Sequence, residues 1–128
     1  MGKFRWQEFE SGPAEQTSDK IYATINRRRC IYLNERVIKA IGEPDLVVLM
    51  YDAYHQTIGV KGATPDKRNA FRPKMKDKRV GGRILYAANF CRQFNIKPKS
   101  TMAFVRAEVD PDGVLILAMR DTIAASRK

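Results

Sequence analysis

The chain reads as a mostly β protein with short helices, an α+β fold in which two strand–short helix–hairpin repeats form a pseudo-two-fold β-barrel or sandwich. Three observations predict it. The stretch GGRILYAANFCRQFN at 81–95 repeats the side-chain pattern of RRRCIYLNERVIKAIG at 27–42, with an offset of 53 positions. Ile84 falls on Ile31, Leu85 on Tyr32, Tyr86 on Leu33, Phe90 on Val37, Arg92 on Lys39 and Phe94 on Ile41. Each copy is followed by two apolar stretches that flank a turn signal, the pattern of a β-hairpin. A unit of roughly 45 residues is near the size at which one core folds unaided, so two units have to share a core.

Residues 1–19 form an N-terminal arm in which Phe4, Trp6 and Phe9 lie among Gly12, Pro13 and polar residues with no sustained period. Its aromatics are expected to dock on the body of the fold, or on a partner. The first unit covers 20–62. KIYATI alternates, and RRRCIYL is β-branched and aromatic enough for a second strand or a continuation of the first. Asn34 is a good helix N-cap, and Glu35 is placed favourably for the helix dipole. Val37, Ile38 and Ile41 follow at helical spacing, with Gly42 where a left-handed residue ends the helix. Such a short helix depends on packing. PDLVVLMYD is a strand, AYHQ a turn and TIGVKG the returning strand.

The second unit covers 83–120 and replays that order. RILY is the strand, residues 87–94 the helix, and Asn95 stands in the capping place of Gly42. MAFVRAEV is a strand, DPDG a strong turn and VLILAM the returning strand. The hairpins align at an offset of 57, with Val105 on Val48, Leu115 on Ile58 and Leu117 on Val60, the extra residues being absorbed in KPKS. Residues 63–82 form a basic linker. It holds Lys67, Arg68, Arg72, Lys74, Lys76, Lys78 and Arg79, punctuated by Pro65, Pro73 and Gly81-Gly82. The tail, 121–128, is expected to fray.

Charge narrows the function classes. Among 128 residues, 24 Lys and Arg stand against 14 Asp and Glu, a net charge of +10, while 44% hydrophobic content excludes compositional disorder. This balance favours a polyanionic partner, nucleic acid ahead of an anionic membrane. No apolar run approaches a membrane span, MGKFRWQEFESG lacks the apolar stretch of a signal peptide, and Trp6 breaks the myristoylation pattern. Two cysteines, Cys30 and Cys91, are too few for a disulfide framework and point to a reducing, cytoplasmic compartment.

A strand–short helix–hairpin unit is also what one subunit contributes in the AbrB/SpoVT swapped-hairpin family. Gly82-Arg83-Ile84-Leu85-Tyr86 with Phe90, Arg92 and Phe94 resembles that family's pattern, as do Arg29, Ile31, Leu33, Val37, Lys39, Ile41 and Gly42. The resemblance covers residues 22–119, and two units in one chain are similar to the MraZ-type arrangement. Leu33-Asn34 and Tyr86-Ala87 stand where the family commonly has Ile-Pro, and Glu35, Arg36 and Lys39 echo only part of the MraZ Asp-x-x-x-Arg signature. The resemblance implies a swapped-hairpin β-barrel and a transcriptional regulator gripping duplex DNA with arginines at the rim of a β scaffold.

The candidate DNA-binding residues are Arg27, Arg28, Arg29 and Lys39 from the first unit and Arg83 and Arg92 from the second. Arg72, Lys74, Lys76, Lys78 and Arg79 are auxiliary phosphate contacts. Such a protein belongs with the nucleoid. The alternatives are a nucleoprotein assembly component of a phage or mobile element and an RNA or single-strand binder stacking bases on Tyr22, Tyr32, Tyr86 and Phe71. The arm is the candidate contact for a protein partner or a second copy. No enzyme, metal or cofactor is expected. His55 is the sole histidine and sits in a turn, Asp110 and Asp112 flank Pro111 in another, and no phosphate-binding glycine loop is present.

Overall fold

The computed structural model describes residues 3–8, 20–75 and 81–125. It opens with a hairpin, strand β1 (Ala23–Ile25) and strand β2 (Cys30–Leu33). Asn26 makes the turn: its side-chain oxygen accepts from the backbone N–H groups of Arg28 and Cys30, each at 3.0 Å. This side-chain mimicry of a backbone turn lets Arg29 sit in the left-handed region, at φ 63°. The arginine run therefore begins in a turn, and only Cys30 onward is strand.

Helix α1 (Glu35–Ala40) starts at Asn34, whose side-chain oxygen accepts from Val37 N–H at 3.0 Å. The same buried side chain accepts from Tyr22 N–H at 3.3 Å and donates to the Lys20 carbonyl at 2.8 Å. One residue thus ties the lead into β1 to the end of β2 and the first turn of α1. Gly42 ends the helix at φ 95°, with Gly42 N–H donating to the Lys39 carbonyl and Glu43 N–H to that of Ile38, a Schellman cap. Strands β3 (Val47–Asp52) and β4 (Thr57–Gly62) then form the expected hairpin.

The second unit repeats the strand and helix without slippage. Strand β6 (Arg83–Tyr86) and helix α2 (Ala88–Gln93) lie 53 positions after β2 and α1 at both ends. Asn95 takes the left-handed position at φ 59°, with Asn95 N–H on the Arg92 carbonyl and Ile96 N–H on that of Cys91. The start differs: Ala87 stands where Asn34 does and has no side-chain cap to offer.

The strands form two antiparallel sheets. With β5 (Lys74–Met75), β7 (Met102–Phe104), β8 (Glu108–Val109), β9 (Leu115–Ala118) and β10 (Thr122–Ala124), the six-stranded sheet runs β10-β7-β1-β2-β6-β5 and the four-stranded sheet β3-β4-β9-β8. The units meet twice. In one sheet Ile31 faces Leu85 and Tyr32 faces Ile84; in the other Ile58 faces Leu117 and Val60 faces Leu115. Both registers equal those of a two-fold relation at the offsets of 53 and 57. Ala23, Ile25, Ile31, Leu33 and Leu85 of the first sheet share one core with Val47, Ile58, Val60, Leu115 and Leu117 of the second, joined by Val37, Phe90 and Cys91 from the helices. Each large aliphatic side chain so buried contributes roughly 1.5–3 kcal/mol.

Among the described residues the strand pairings form two separate antiparallel sheets with no closed barrel. Four features differ from the sequence-based expectation. MAFVRAEV is not one strand: β7 pairs with β1 in one sheet and β8 with β9 in the other, and the chain crosses between them at Val105, which is exposed and not equivalent to Val48. The linker carries structure, since Phe71 exchanges backbone hydrogen bonds with Val47 at 2.7 and 2.9 Å and β5 pairs with β6. The tail supplies β10, which covers the free side of β7 instead of fraying. In the arm, Phe4 and Trp6 stack on each other with ring centroids 5.3 Å apart and stay 71% and 86% exposed, so they do not dock on the body; Phe9 lies outside the described residues.

Gly82 is required sterically. A Cβ there would lie 2.5 Å from the Tyr32 hydroxyl oxygen and 2.6 Å from Cε1, because the Tyr32 ring lies along the sheet over this residue. Gly82→Ala is expected to lose about 1–3 kcal/mol in thermal or denaturant unfolding. Adding Tyr32→Ala should make the double variant more stable than the sum of the single losses; strict additivity counts against the contact. Asn34→Ala should cost a further ~1–3 kcal/mol, since it strips a buried cap and leaves the Tyr22 N–H and Lys20 carbonyl without that partner.

Candidate nucleic-acid interface

The β2–β6 pairing sorts the candidate bases into two groups. Cys30 is paired with Tyr86 and Leu33 with Arg83, so the β1–β2 turn lies at one end of this ladder and the start of β6 at the other, about 10 Å away at a ~3.4 Å rise per residue. Arg27, Arg28 and Arg29 occupy the first end. Arg83 occupies the second, with Arg72 and Lys74. The arginine run and Arg83 therefore do not form a single continuous strip.

At the first end Arg27 and Arg28 are exposed in the turn. Arg29 is half-buried and partly structural: its carbonyl accepts from Ala87 N–H at 3.1 Å, and its Nε donates to the Ile96 carbonyl at 3.4 Å. That places a cation against the C-terminal turn of α2, where the helix dipole favours it. Arg92 is exposed on α2, with a nitrogen donating to Asn89 Oδ1 at 2.7 Å.

At the second end Lys39, Arg72 and Arg83 line a cleft of about 540 Å³ between α1 and the β5–β6 edge. Glu35, Glu43 and Asp45 line it too, so three carboxylates offset three cations. Lys39 pairs with Glu35 at 3.4 Å, an exposed i,i+4 contact of small energy. The Arg83 guanidinium donates to the Gly81 carbonyl at 2.9 Å and the Gly82 carbonyl at 3.2 Å, which holds it at the cleft wall. Lys74 is exposed in β5 opposite Ile84. Lys76, Lys78 and Arg79 lie outside the described residues.

The aromatic candidates separate by face. Ile31, Leu33 and Leu85 point into the core, so Tyr32 and the partners Cys30 and Tyr86 point outward. Tyr22, opposite Asn34, lies on the same outward side, and burial, with the Tyr22 phenol adding to it, holds the Tyr32 hydroxyl above its usual pKa. Tyr86 is 61% exposed. Phe71 instead packs against the core. Sequence reading treats these tyrosines as a loose set; only the register assigns three of them to one surface.

Other polar groups serve turns. His55 meets Asp52 at 2.8 Å on the exposed β3–β4 turn, and hydrogen bonds from His55 hold the Asp52 carboxyl below its ordinary range. Asp110 Oδ1 accepts from the N–H groups of Asp112 and Val114, both at 2.9 Å. Among the described residues no three His, Cys, Asp or Glu side chains are grouped as metal ligands. No family model, curated protein or solved structure matches the chain.

Cys30 is half-buried and Cys91 buried, and both thiols are free. Burial pushes the Cys91 thiol up to about 11, with nearby Arg29 opposing the shift. Because the folded state keeps this thiol protonated, its contribution to stability is full below the unfolded thiol's pKa and is lost as pH rises from about 9 to about 11. Alkylation of the native protein at mild alkaline pH should modify Cys30 well before Cys91, with the rates converging on unfolding. Equal native rates would contradict the burial.

Proposed function

We propose that the protein binds duplex DNA, as a transcriptional regulator of AbrB-like type with two swapped-hairpin units in one chain. The observation that carries this is the two-fold placement of cations about the β2–β6 ladder. Lys39 on α1 and Arg92 on α2 hold matching positions of the repeat, and an arginine-bearing strand start lies beside each helix. Paired cations on either side of an axis suit the two phosphate-lined edges of a groove. The swapped-hairpin reading is supported by Tyr51 of the first hairpin, which meets Phe90 and Phe94 of the second helix at centroid distances of 6.3 and 5.0 Å. A net charge of +10 supplies the long-range attraction. A nucleoid, cytoplasmic location goes with this reading, and no described helix is long and apolar enough to cross a membrane.

A second reading rests on Phe4 and Trp6. Two stacked, exposed aromatics on an arm suit a protein partner or a second copy, as in a nucleoprotein assembly component.

Binding of the chain to a mixed-sequence duplex, followed across salt concentration, tests the proposal. Arg27→Ala with Arg28→Ala should weaken binding and reduce the slope of log affinity against log salt by about 1.8, at ~0.9 per phosphate contact. Arg29→Ala and Arg83→Ala should instead show part of their effect in thermal stability, since both guanidinium groups hold backbone carbonyls. A duplex affinity indifferent to salt and to the Arg27/Arg28 change would sink it.

A further inference from the structure

We infer that the outer face of the six-stranded sheet is a stacking platform for the unpaired bases of a single-stranded nucleic acid, centred on Tyr86, Tyr32 and Tyr22. The inference rests on the nucleic-acid reading above for its basic groups, and adds the form of the strand that the face between them accepts.

The platform follows from register. One uninterrupted row crosses all six strands on this face: Lys74, Ile84, Tyr32, Thr24, Ala103 and Ile123, each directly opposite the next. At ~4.8 Å between strands the row spans about 24 Å. Tyr86 stands two residues along the ladder from it, opposite Cys30, and Tyr22 two residues along in the other direction, opposite Asn34. Thr24 and Ala103 in the row are small and buried, Ile84 is half-buried, and the row carries a single charge, the Lys74 ammonium at its edge. Gly82 removes the one Cβ that would prop the Tyr32 ring away from the sheet.

The core does not need these rings, because the opposite face is already filled by Ile25, Ile31, Leu33 and Leu85. Charge then selects the occupant. Arg27 and Arg28 border the face beyond Tyr86, and Lys74 stands on it at the β5 edge. A second copy of a chain with a net charge of +10 would bring like charges together at both places. A polyanion is attracted to both. A duplex keeps its bases stacked on one another and offers this face no ring. An unpaired strand offers a π-face at every base, and aromatic stacking of this kind tolerates any base sequence.

Anisotropy titration of a short fluorescein-labelled oligothymidylate, in parallel with a labelled mixed-sequence duplex, tests the assignment. Tyr86→Ala should weaken oligothymidylate binding about 5- to 100-fold and leave duplex binding within about twofold. Tyr86→Phe, which keeps the ring, should retain wild-type affinity, and Tyr22→Ala should weaken the single strand in the same sense as Tyr86→Ala. An oligothymidylate affinity unchanged in Tyr86→Ala and Tyr22→Ala overturns the platform, as does equal loss on both nucleic acids. So does a Tyr86→Ala change in sedimentation from dimer to monomer, which would make a second copy the occupant. The duplex reading is judged separately by the Arg27/Arg28 variant: duplex binding that depends on it while the tyrosine variants bind normally removes the platform alone. Tyrosine-dependent oligothymidylate binding with no duplex binding removes the duplex reading alone.

Discussion

Antiparallel pairing between β2 and β6 is the constraint on which the arrangement depends. Each strand belongs to one copy of the repeat, and their antiparallel pairing makes whatever precedes one strand emerge opposite the end of the other. Hence the Arg27–Arg29 turn meets the start of α2, and Arg83 meets α1. The same four pairs put Ile31 and Leu85 together in the core and Tyr32 and Tyr86 together on the outside. A one-residue slip would exchange these faces, exposing the aliphatics and burying phenols without partners. The register is therefore held by core burial, and the outer surface inherits its composition from it.

The two units solve the same local problem with different residues. Both helices have six residues, too few for independent stability, and both end in a Schellman cap with a left-handed residue. At Gly42 that conformation carries no side-chain cost, and at Asn95 it uses one of the few side chains that tolerate it. At the helix starts the balance reverses: Asn34 caps and cross-links, whereas Ala87 relies on the Arg29 carbonyl and on packing of Phe90 and Cys91. The hairpins diverge further. In the first unit β3 runs six residues in one sheet, but in the second the equivalent chain serves both sheets, as β7 and β8. Since β1 presents an open edge once β2 is paired with β6, β7 has a partner there, and β10 extends the sheet in turn.

Charge and function are not evenly distributed over the basic residues. Arg29 and Arg83 hold backbone carbonyls, and Lys39 shares its cleft with Glu35, Glu43 and Asp45. The exposed turn residues Arg27 and Arg28 carry neither constraint, and no described carboxylate pairs with them. A cation on a tight turn at the end of a sheet loses little hydration in the folded protein, so contact with a phosphate meets no competing partner. The fold thereby separates arginines that hold backbone carbonyls from those left open to solvent.

Much of the secondary structure was legible in the sequence because its causes are local. The Asn34 cap, the left-handed positions at 42 and 95, the turn at 110–113 and the alternation of β4 and β9 each depend on a few neighbouring residues. The repeat was legible because both copies meet the same steric and burial demands at an offset of 53. Splitting of MAFVRAEV, ordering of the tail as β10 and use of the linker as β5 were not, since each depends on an edge made by residues far along the chain. The sequence by itself determined the charge, the helix and turn signals and the candidate bases. Only the tertiary structure decided that those bases form two groups and that Tyr22, Tyr32 and Tyr86 share one surface. The reason is physical: a strand alternates its side chains, and only pairing and core burial select which side of that alternation faces water.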